Sequence, residues 1–361
     1  MTKSIFDIFE SKALAQYWED VNTAMDDPFI GEQFFPVAKR IGLELAWIKG
    51  YNNLPIALQP SAFDTKATLR DRIGISKVET EMPFFREAMR IGEKDRQDLD
   101  TFLAKGDQYA QPTILKIFND TKQLIDGANV QAERMRMSLL SSGTINILAT
   151  LETGRDTAYN YNFDLDGSWA TNNKITLANK WSVENKASSD PINDLLTAQD
   201  LMSEKRGVKV TKALLTTKTL NNLLASESIA KAINPNGATS MILTKKQKRE
   251  FVEDQTGLQF IVYDKMFKNE QGVDMKYFPD DVVTLLPDYS LGNTWYGTTP
   301  EERDLMSGVQ TNASTSIVNT GVAVTTVKEP HPVNVQTIVS EIVLPSFERM
   351  ADIYVMNVNE A

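Results

Sequence analysis

The sequence lacks cysteine and contains only one histidine among its 361 residues. Without cysteine the chain forms no disulfide, no thiolate metal site and no cysteine nucleophile. The single histidine excludes multi-histidine metal sites, and a serine triad would depend on that one side chain. His331 lies between two prolines, in a connector between strand-like runs. We therefore expect a structural role for it.

Long apolar runs are also missing. Runs such as Ile342 to Leu344 are far shorter than the roughly 20 residues that a membrane-spanning helix needs. The N-terminal residues lead into no apolar segment of the signal-peptide type. We therefore expect no membrane partner.

Motifs of catalysis and cofactor binding are absent as well. The chain has no glycine-rich nucleotide-binding motif, no nucleophile elbow and no metal-ligand spacing. Asp164 to Gly167 imitates the opening of a calcium loop, but the spacing and the closing glutamate do not fit, so we expect a plain turn. We expect no catalytic residue, no metal and no cofactor. Because carboxylates are plentiful, a two-carboxylate hydrolase stays open as an alternative.

Acidic residues outnumber basic ones, 48 to 38, which gives a net charge of -10. This balance disfavours a protein whose main task is to grip phosphate backbones, and it suits one that must not adhere to nearby nucleic acid. The hydrophobic fraction of 42% is ample for a sizeable core. The length fits two domains.

The most regular pattern in the chain runs from Gln111 to Gly143 and predicts one helix about 45 Å long, against a mean of about 11 to 12 residues for globular helices. Ser142 and Gly143 end it, and a period-two strand pattern follows. An ordinary long helix of an α+β domain remains an alternative interpretation. The predicted buried stripe comprises Ile114, Phe118, Thr121, Ile125, Ala128, Ala132, Met135 and Leu139. The residues predicted mostly on the other side are Asn119, Asp120, Lys122, Gln131, Glu133 and Arg134.

Two segments near the N-terminus have no evident partner in their own neighbourhood. The first is an amphipathic helix predicted from Ile5 toward Met25. The second is the aromatic stretch Asp27 to Pro36, which its prolines favour as extended rather than helical.

The segment from Ser61 to Pro83 alternates charges and has little apolar bulk. We interpret it as a projecting two-stranded hairpin, with arms Thr65 to Ile73 and Ser76 to Met82. A solvated charged face is the alternative. Short helices are predicted next, over Phe84 to Ile91 and Lys94 to Ala104.

Beyond the long helix the pattern predicts strands, then an α/β region that opens at Asp190 and Pro191, then closing strands. Ser307 to Ser316 is predicted as a loop. The strand from Asp352 to Val358 is apolar on both faces and is expected in the middle of a sheet, beside the strands that follow the long helix. The other predicted strands are Thr144 to Thr153, Ala158 to Leu165, Ile175 to Lys180, Lys212 to Leu215, Leu258 to Tyr263, Val282 to Leu286, Val322 to Val327 and Val333 to Leu344.

In the order of these pieces the chain resembles the major capsid proteins of tailed bacteriophages, specifically the lambda capsid protein E family. The similarity spans nearly the whole chain, and its strength lies in collinearity rather than in one specific motif. The segments that match best are Asp27-Pro28-Phe29, Phe34-Phe35-Pro36, and Tyr277 to Pro287 running into Gly292 to Gly297.

The resemblance implies an α+β fold of the Hong Kong ninety-seven type, with a long spine helix, a β-hairpin extended loop, a peripheral domain and an inserted α/β axial domain. The segments expected on this basis are an N-terminal arm (1–54), the extended loop (55–92), a peripheral domain (93–190, with the spine helix at 112–142), the axial domain (191–310) and return strands of the peripheral domain (311–361).

The function implied is structural: self-assembly into an icosahedral shell around a double-stranded DNA genome. Implied partners are other copies in pentamers and hexamers, a scaffold, a portal, a decoration protein in some cases, and DNA without sequence-specific binding. The implied location is the virion, after assembly in the host cytoplasm. An encapsulin-like nanocompartment shell is the nearest alternative. Candidate subunit-contact residues in the loop and arm are Arg70, Asp71, Arg72, Lys77, Glu79, Phe29, Phe34 and Phe35.

Overall fold

A computed structural model of the chain describes residues 10–22, 29–49, 76–94, 97, 101, 110–150, 156–234, 243–308, 313–330 and 333–359. The helices among them are α1 (Ser11–Asn22), α2 (Gly31–Phe34), α3 (Ala110–Ser142), α4 (Ser168–Asn173), α5 (Pro191–Arg206), α6 (Thr217–Leu224), α7 (Glu227–Ile233), α8 (Lys245–Thr256) and α9 (Pro300–Ser307). None of these described helices is long and apolar enough to cross a membrane.

The strands of the described residues are β1 (Val37–Lys39), β2 (Glu44–Lys49), β3 (Ser76–Glu81), β4 (Phe84–Ile91), β5 (Thr144–Thr150), β6 (Asp156–Asn162), β7 (Lys174–Thr176), β8 (Lys212–Leu215), β9 (Gln259–Val262), β10 (Met266–Lys268), β11 (Asp274–Lys276), β12 (Val282–Leu286), β13 (Thr294–Tyr296), β14 (Ala313–Val318), β15 (Val322–Pro330), β16 (Val333–Pro345) and β17 (Tyr354–Asn357).

Two compact units divide the chain. The first combines Met1–Ala46, Glu79–Met135 and Asn293–Ser346. The second combines Trp47–Val78, Arg136–Gly292 and Phe347–Ala361. Each unit is therefore built from segments distant in sequence, and α3 contributes residues to both.

The long helix is confirmed: α3 has 33 residues and ends at Ser142, as the sequence predicts. The side chains of the predicted stripe are buried from Thr121 onward, and those of Ile125, Ala132 and Leu139 are 0% exposed. The prediction is wrong for one residue of the polar side, Glu133. Glu133 is 0% exposed, because its carboxylate accepts a hydrogen bond from the Gly31 backbone N–H at 3.0 Å.

The sheet of the first unit runs in the order β1-β13-β16-β15-β14. Strand β4 also pairs with β16, from Val335 to Ile342. Only β1 and β13 are parallel, and the other pairs are antiparallel. Three consecutive β15 residues, Val322, Ala323 and Val324, are 0% exposed. Since successive side chains of a strand point to opposite faces, this sheet is covered on both.

Helices α1 and α9 cover opposite faces of that sheet. Ser11 of α1 places its hydroxyl 3.0 Å from that of Ser316, which pairs in register with Val324. A glutamate of α9 accepts a hydrogen bond from Ser340, which pairs with the adjacent Ala323. Because residues in register share a face and neighbours alternate, the two helices cannot lie on the same side.

The second unit is built on a five-stranded sheet in the order β7-β17-β12-β8-β9. Helices α5 to α8 pack against one another and contribute to its core, with Leu195, Leu223 and Val252 each 0% exposed. On the alternate positions of β12, the Thr284 hydroxyl donates to the Leu140 carbonyl of α3 at 2.8 Å. The last turns of the long helix therefore contact the sheet from its other face.

The closing strand behaves as its composition predicts. β17 lies inside the sheet, between β7 and β12, and Val355 is 0% exposed. One neighbour, β7, is a strand that follows the long helix, whereas the other, β12, comes from the α/β region. The predicted strands Thr144 to Thr153 and Ala158 to Leu165 form a separate antiparallel pair, β5 and β6.

Several local predictions are wrong. Phe84 to Ile91 is the strand β4 rather than a helix, because eight of its residues pair with β16. Part of the predicted loop Ser307 to Ser316 is the strand β14, which pairs with β15. Three residues of the predicted helix Lys94 to Ala104 are described, namely 94, 97 and 101, and all three are helical. His331 lies outside the described residues.

Asp164 to Gly167 is a turn, as predicted. The Asp164 carboxylate accepts hydrogen bonds from the backbone N–H groups of Trp169 and Ala170 at 2.9 and 2.8 Å. Both donors lie in the first turn of α4, where backbone N–H groups lack partners within the helix. The carboxylate therefore caps the N-terminus of α4.

Gly143 fixes the exit from the long helix. Its φ of +77° is one that side chains other than glycine rarely adopt, and an added Cβ would lie 2.5 Å from Met350 Cε and 2.8 Å from Trp169 Cζ3. Gly257, which ends α8, has a similar φ of +65° but open space around its Cα. The two glycines therefore differ in packing and not in backbone conformation.

We predict that Gly257→Ala lowers the free energy of unfolding by about 1–2 kcal/mol, the left-handed backbone penalty alone. Gly143→Ala adds an overpacking penalty of typically 1–3 kcal/mol, so it should be clearly the more destabilised variant. Urea unfolding of the unassembled subunits measures both. Equal losses would contradict the contact with Met350 and Trp169.

Candidate subunit-contact elements

The charged loop residues named above are placed only in part. Arg70, Asp71 and Arg72 lie outside the described residues, as does the predicted first arm Thr65 to Ile73. Lys77 and Glu79 belong to β3, so the second arm is confirmed as a strand. Its partner among the described residues is β2, which the sequence analysis did not pair with it.

The base of the loop is held against the sheet of the first unit. The Met82 backbone N–H donates to the Leu43 carbonyl at 2.9 Å. This hydrogen bond joins the two ends of the segment between residues 43 and 82. A Cβ at Gly297 would lie 3.0 Å from both the Gly42 carbonyl oxygen and Met82 Cε. Glycine at 297 therefore allows the loop base to approach the segment that follows β13.

Two consecutive glutamates of α9 bind the strands on either side of the loop. Lys39 of β1 donates to Glu302 at 2.6 Å, and Arg86 of β4 forms a salt bridge with Glu301. The two carboxylate side chains are only 13% and 14% exposed. Ser340 of β16 also donates to Glu301, at 3.0 Å. These three contacts connect α9 with β1, β4 and β16.

The position of these glutamates follows from the helix start. Thr299 is the N-cap of α9, and its hydroxyl accepts from the Glu302 N–H at 3.3 Å, while Pro300 occupies the first helical position. Carboxylates in a first turn are stabilised by the partial positive charge of a helix N-terminus. The Thr299–Glu302 spacing is typical of a helix start, but nothing in the local pattern identifies Lys39 or Arg86 as partners, because these residues lie more than 200 positions away.

The aromatic arm is not the extended, partnerless segment that the sequence analysis predicts. Gly31–Phe34 is a short helix, α2, and the side chains of Phe34 and Phe35 are 2% and 0% exposed within their own chain. The Phe35 carbonyl also accepts a hydrogen bond from the Thr294 hydroxyl at 2.8 Å. These two rings are therefore core residues of the subunit. Phe29 is half-buried, and its role in a subunit contact stays a prediction.

The first helix also has partners within the chain, which corrects the expectation that it has none. Helix α1 packs against β14 and β15, and Leu14 and Trp18 are 1% and 2% exposed. The Trp18 indole donates to Asp126 of α3 at 2.9 Å, and the Tyr17 hydroxyl donates to Asn119 at 2.9 Å. The apolar face of α1 thus completes the core of the first unit.

No cluster of three or more His, Asp or Glu side chains that could hold a metal ion occurs within the described ranges. The carboxylates described above are instead used in helix capping and salt bridges. No described residue stands out as a catalytic group.

The sequence profile of the family phage major capsid protein E matches residues 10–358. The chain belongs to this family. It is therefore a structural protein of the phage capsid shell, which is built from copies of one chain, and its place is the capsid of the virion. A match to a curated protein was not found.

Two solved structures show the fold of the family. A chain described as a prophage capsid protein from Escherichia coli CFT073 is 13% identical and superposes with a TM-score of 0.57, covering 97% of this chain and 99% of the other. A phage-related protein from Bordetella bronchiseptica RB50 is 13% identical, with a TM-score of 0.50 and 96% coverage of both chains. The fold is the capsid fold of the Hong Kong ninety-seven type, as the resemblance implies.

We predict that Phe35→Ala and Phe29→Ala separate core from surface within one short segment. Removing the fully buried Phe35 ring should lower the free energy of unfolding by about 3–5 kcal/mol, the usual cost of a large cavity. Removing the half-buried Phe29 ring should cost much less. Denaturant unfolding of the unassembled subunits measures both losses. A larger loss for Phe29→Ala than for Phe35→Ala would contradict the burial of the Phe35 ring.

Proposed function

We propose that copies of this chain assemble as pentamers and hexamers into a closed icosahedral shell around a double-stranded DNA genome. The observation that carries the proposal is the match of the capsid family over residues 10–358. In this proposal the chain has no enzymatic activity. Assembly takes place in the host cytoplasm, with a scaffold and a portal as further partners and a decoration protein as an optional one.

The charge of the chain supports a container rather than a DNA-binding protein. With a net charge of -10, the subunit has no general attraction for phosphate backbones. DNA can then be packed and released without tight binding, and its contacts with the shell are not sequence-specific.

In this proposal the extended loop reaches an adjacent subunit. Residues 64 to 81 carry alternating charges, including Arg70, Arg72 and Lys77, and few large apolar side chains that would join the core of their own subunit. The salt bridges of Glu301 and Glu302 support the same proposal, because they hold β1 and β4, which lie before and after the predicted hairpin Ser61 to Pro83 in the sequence. A loop with a fixed base loses less conformational freedom when it binds a neighbour.

We predict that the purified protein forms closed particles or sheets of rings when it is concentrated, alone or after co-expression with the neighbouring phage genes. Electron microscopy and sedimentation measure this. DNA inside particles from infected or induced cells is expected, whereas a protein cargo would favour a nanocompartment. A compact monomer under every condition would contradict assembly itself.

We predict that Arg70→Glu with Arg72→Glu weakens assembly but leaves the melting temperature of the free subunit nearly unchanged. Each exposed ion pair contributes about 0.2–1 kcal/mol, but the contact is repeated around every ring. Raised salt should have the same effect on the unmodified protein.

The matched control for this prediction is Lys231→Glu with Lys246→Glu. It makes the same change in net charge, at lysines whose side chains are 63% and 83% exposed on α7 and α8. Equal loss of assembly in the control would show that net charge, and not the loop, is responsible. Normal particles from the Arg70 and Arg72 double variant would remove these residues from the interface.

A further inference from the structure

A small cavity opens in the second unit, between α4, α5 and the start of β17. Its volume is about 160 Å³, and its polar lining consists of Asn172, Asn173, Lys205, Arg206 and Tyr354. Two of these residues are cationic, and no acidic residue lines the cavity. Since a water molecule takes about 30 Å³ in the liquid, the cavity has room for a group of about five non-hydrogen atoms.

The wall of the cavity is fixed by Asn173, which is 1% exposed. Its carboxamide nitrogen donates to the carbonyls of Ala351 and Ile353 at 2.8 and 2.9 Å, and it lies 3.5 Å from the Met202 sulfur. One side chain thus joins α4, α5 and the segment that precedes β17. The shape of the cavity is therefore set by contacts within the unit before any ligand binds.

Tyr354 brings an unused hydroxyl to the cavity. The residue is 4% exposed, and its hydroxyl forms no hydrogen bond within the part of the chain that the structure describes. Burial raises the pKa of this hydroxyl above its usual value, so the group stays protonated at neutral pH and is able to donate. Because a nearly buried phenol usually has a hydrogen-bond partner, this one indicates a missing acceptor.

Lys205 and Arg206 lie in the last turn of α5 and supply the charge. Neither side chain forms a salt bridge with a carboxylate of the described residues, although Arg206 is half-buried. The adjacent Glu204 is exposed and does not line the cavity. Cations in this position also stabilise the C-terminus of a helix, but that interaction does not use all of their N–H donors.

These groups determine the class of ligand. A guanidinium and an ammonium group donate hydrogen bonds and accept none, and the phenol hydroxyl adds a further donor. Together they match a compact anion that carries several acceptor oxygens. Arginine binds the oxygens of phosphate in pairs, and lysine adds a point charge. The phosphorus and oxygen atoms of one phosphate group also fit the volume of the cavity.

We propose that this cavity binds a phosphate group through Lys205, Arg206 and Tyr354. The group is inorganic phosphate or a phosphate of a DNA backbone, since both present the same oxygens. A backbone contact involves no base, so it is not sequence-specific. The site goes beyond the shell function, because all its residues belong to one unit of one chain and the unassembled subunit should already bind phosphate.

The first test is isothermal titration calorimetry of unassembled subunits with inorganic phosphate at constant ionic strength. The unmodified chain should bind saturably, and Lys205→Gln with Arg206→Gln should weaken binding by about tenfold or more, because both charge-assisted contacts are lost. The matched control is Lys231→Gln with Lys246→Gln, at exposed lysines outside the cavity, and it should bind normally. No saturable binding by the unmodified chain, or an equal loss in both variants, would overturn the proposal.

The second test removes only the hydroxyl, with Tyr354→Phe. This hydroxyl forms no hydrogen bond in the free subunit, so the melting temperature without phosphate should not change. Phosphate binding should weaken by about threefold to tenfold, the usual effect of one hydrogen bond. Because this variant keeps both cations and the packing of the ring, it separates binding from folding. An unchanged affinity would overturn the proposed site.

Fluorescence anisotropy of labelled duplex DNA distinguishes the two sources of phosphate. DNA binding that inorganic phosphate displaces, and that Lys205→Gln with Arg206→Gln removes, would assign the ligand to the DNA backbone. Phosphate binding without such DNA binding would assign it to free phosphate. Displacement of phosphate by an equal concentration of chloride would show charge screening alone and overturn the proposal.

Discussion

Burial of one stripe of the 33-residue helix α3 is the constraint that connects the two cores, because most helical stability in proteins comes from tertiary packing of an apolar face. Within the first unit, Trp18 of α1 reaches Asp126 of this helix, and the segment at Gly31 reaches Glu133. Within the second unit, the helix end contacts β12 through Leu140 and stops at a glycine packed against Met350 and Trp169. The core of each unit therefore includes residues of the same helix, α3.

The chain returns twice to each unit. β16 and β15 come from the end of the sequence, yet they form the centre of the sheet that α1 covers. β17, near the C-terminus, likewise lies between a strand that follows the long helix and a strand of the α/β region. Strand pairings of such long sequence separation hold each unit together.

Two surface elements of the subunit are held by contacts within their own chain. The base of the extended loop is held by Glu301 and Glu302, whose salt bridges with Arg86 and Lys39 are partly shielded from water. The hairpin β10–β11 is held by its own cross-strand contacts and by aromatic packing at Tyr277. The first helix and the rings of Phe34 and Phe35, in contrast, belong to the subunit core.

The sequence by itself determined the features that depend on local pattern. The 3.6-residue period fixed the long helix almost to its ends, capping residues fixed the starts of α8 and α9, and a two-sided apolar run placed β17 inside a sheet. Only the tertiary structure decided which neighbours these elements meet. Phe84 to Ile91 is a strand because β16 lies beside it, and Glu133 is buried because a distant backbone N–H binds it. Neither partner is encoded within a short window of residues, since both are brought there by the packing of segments far apart in the chain.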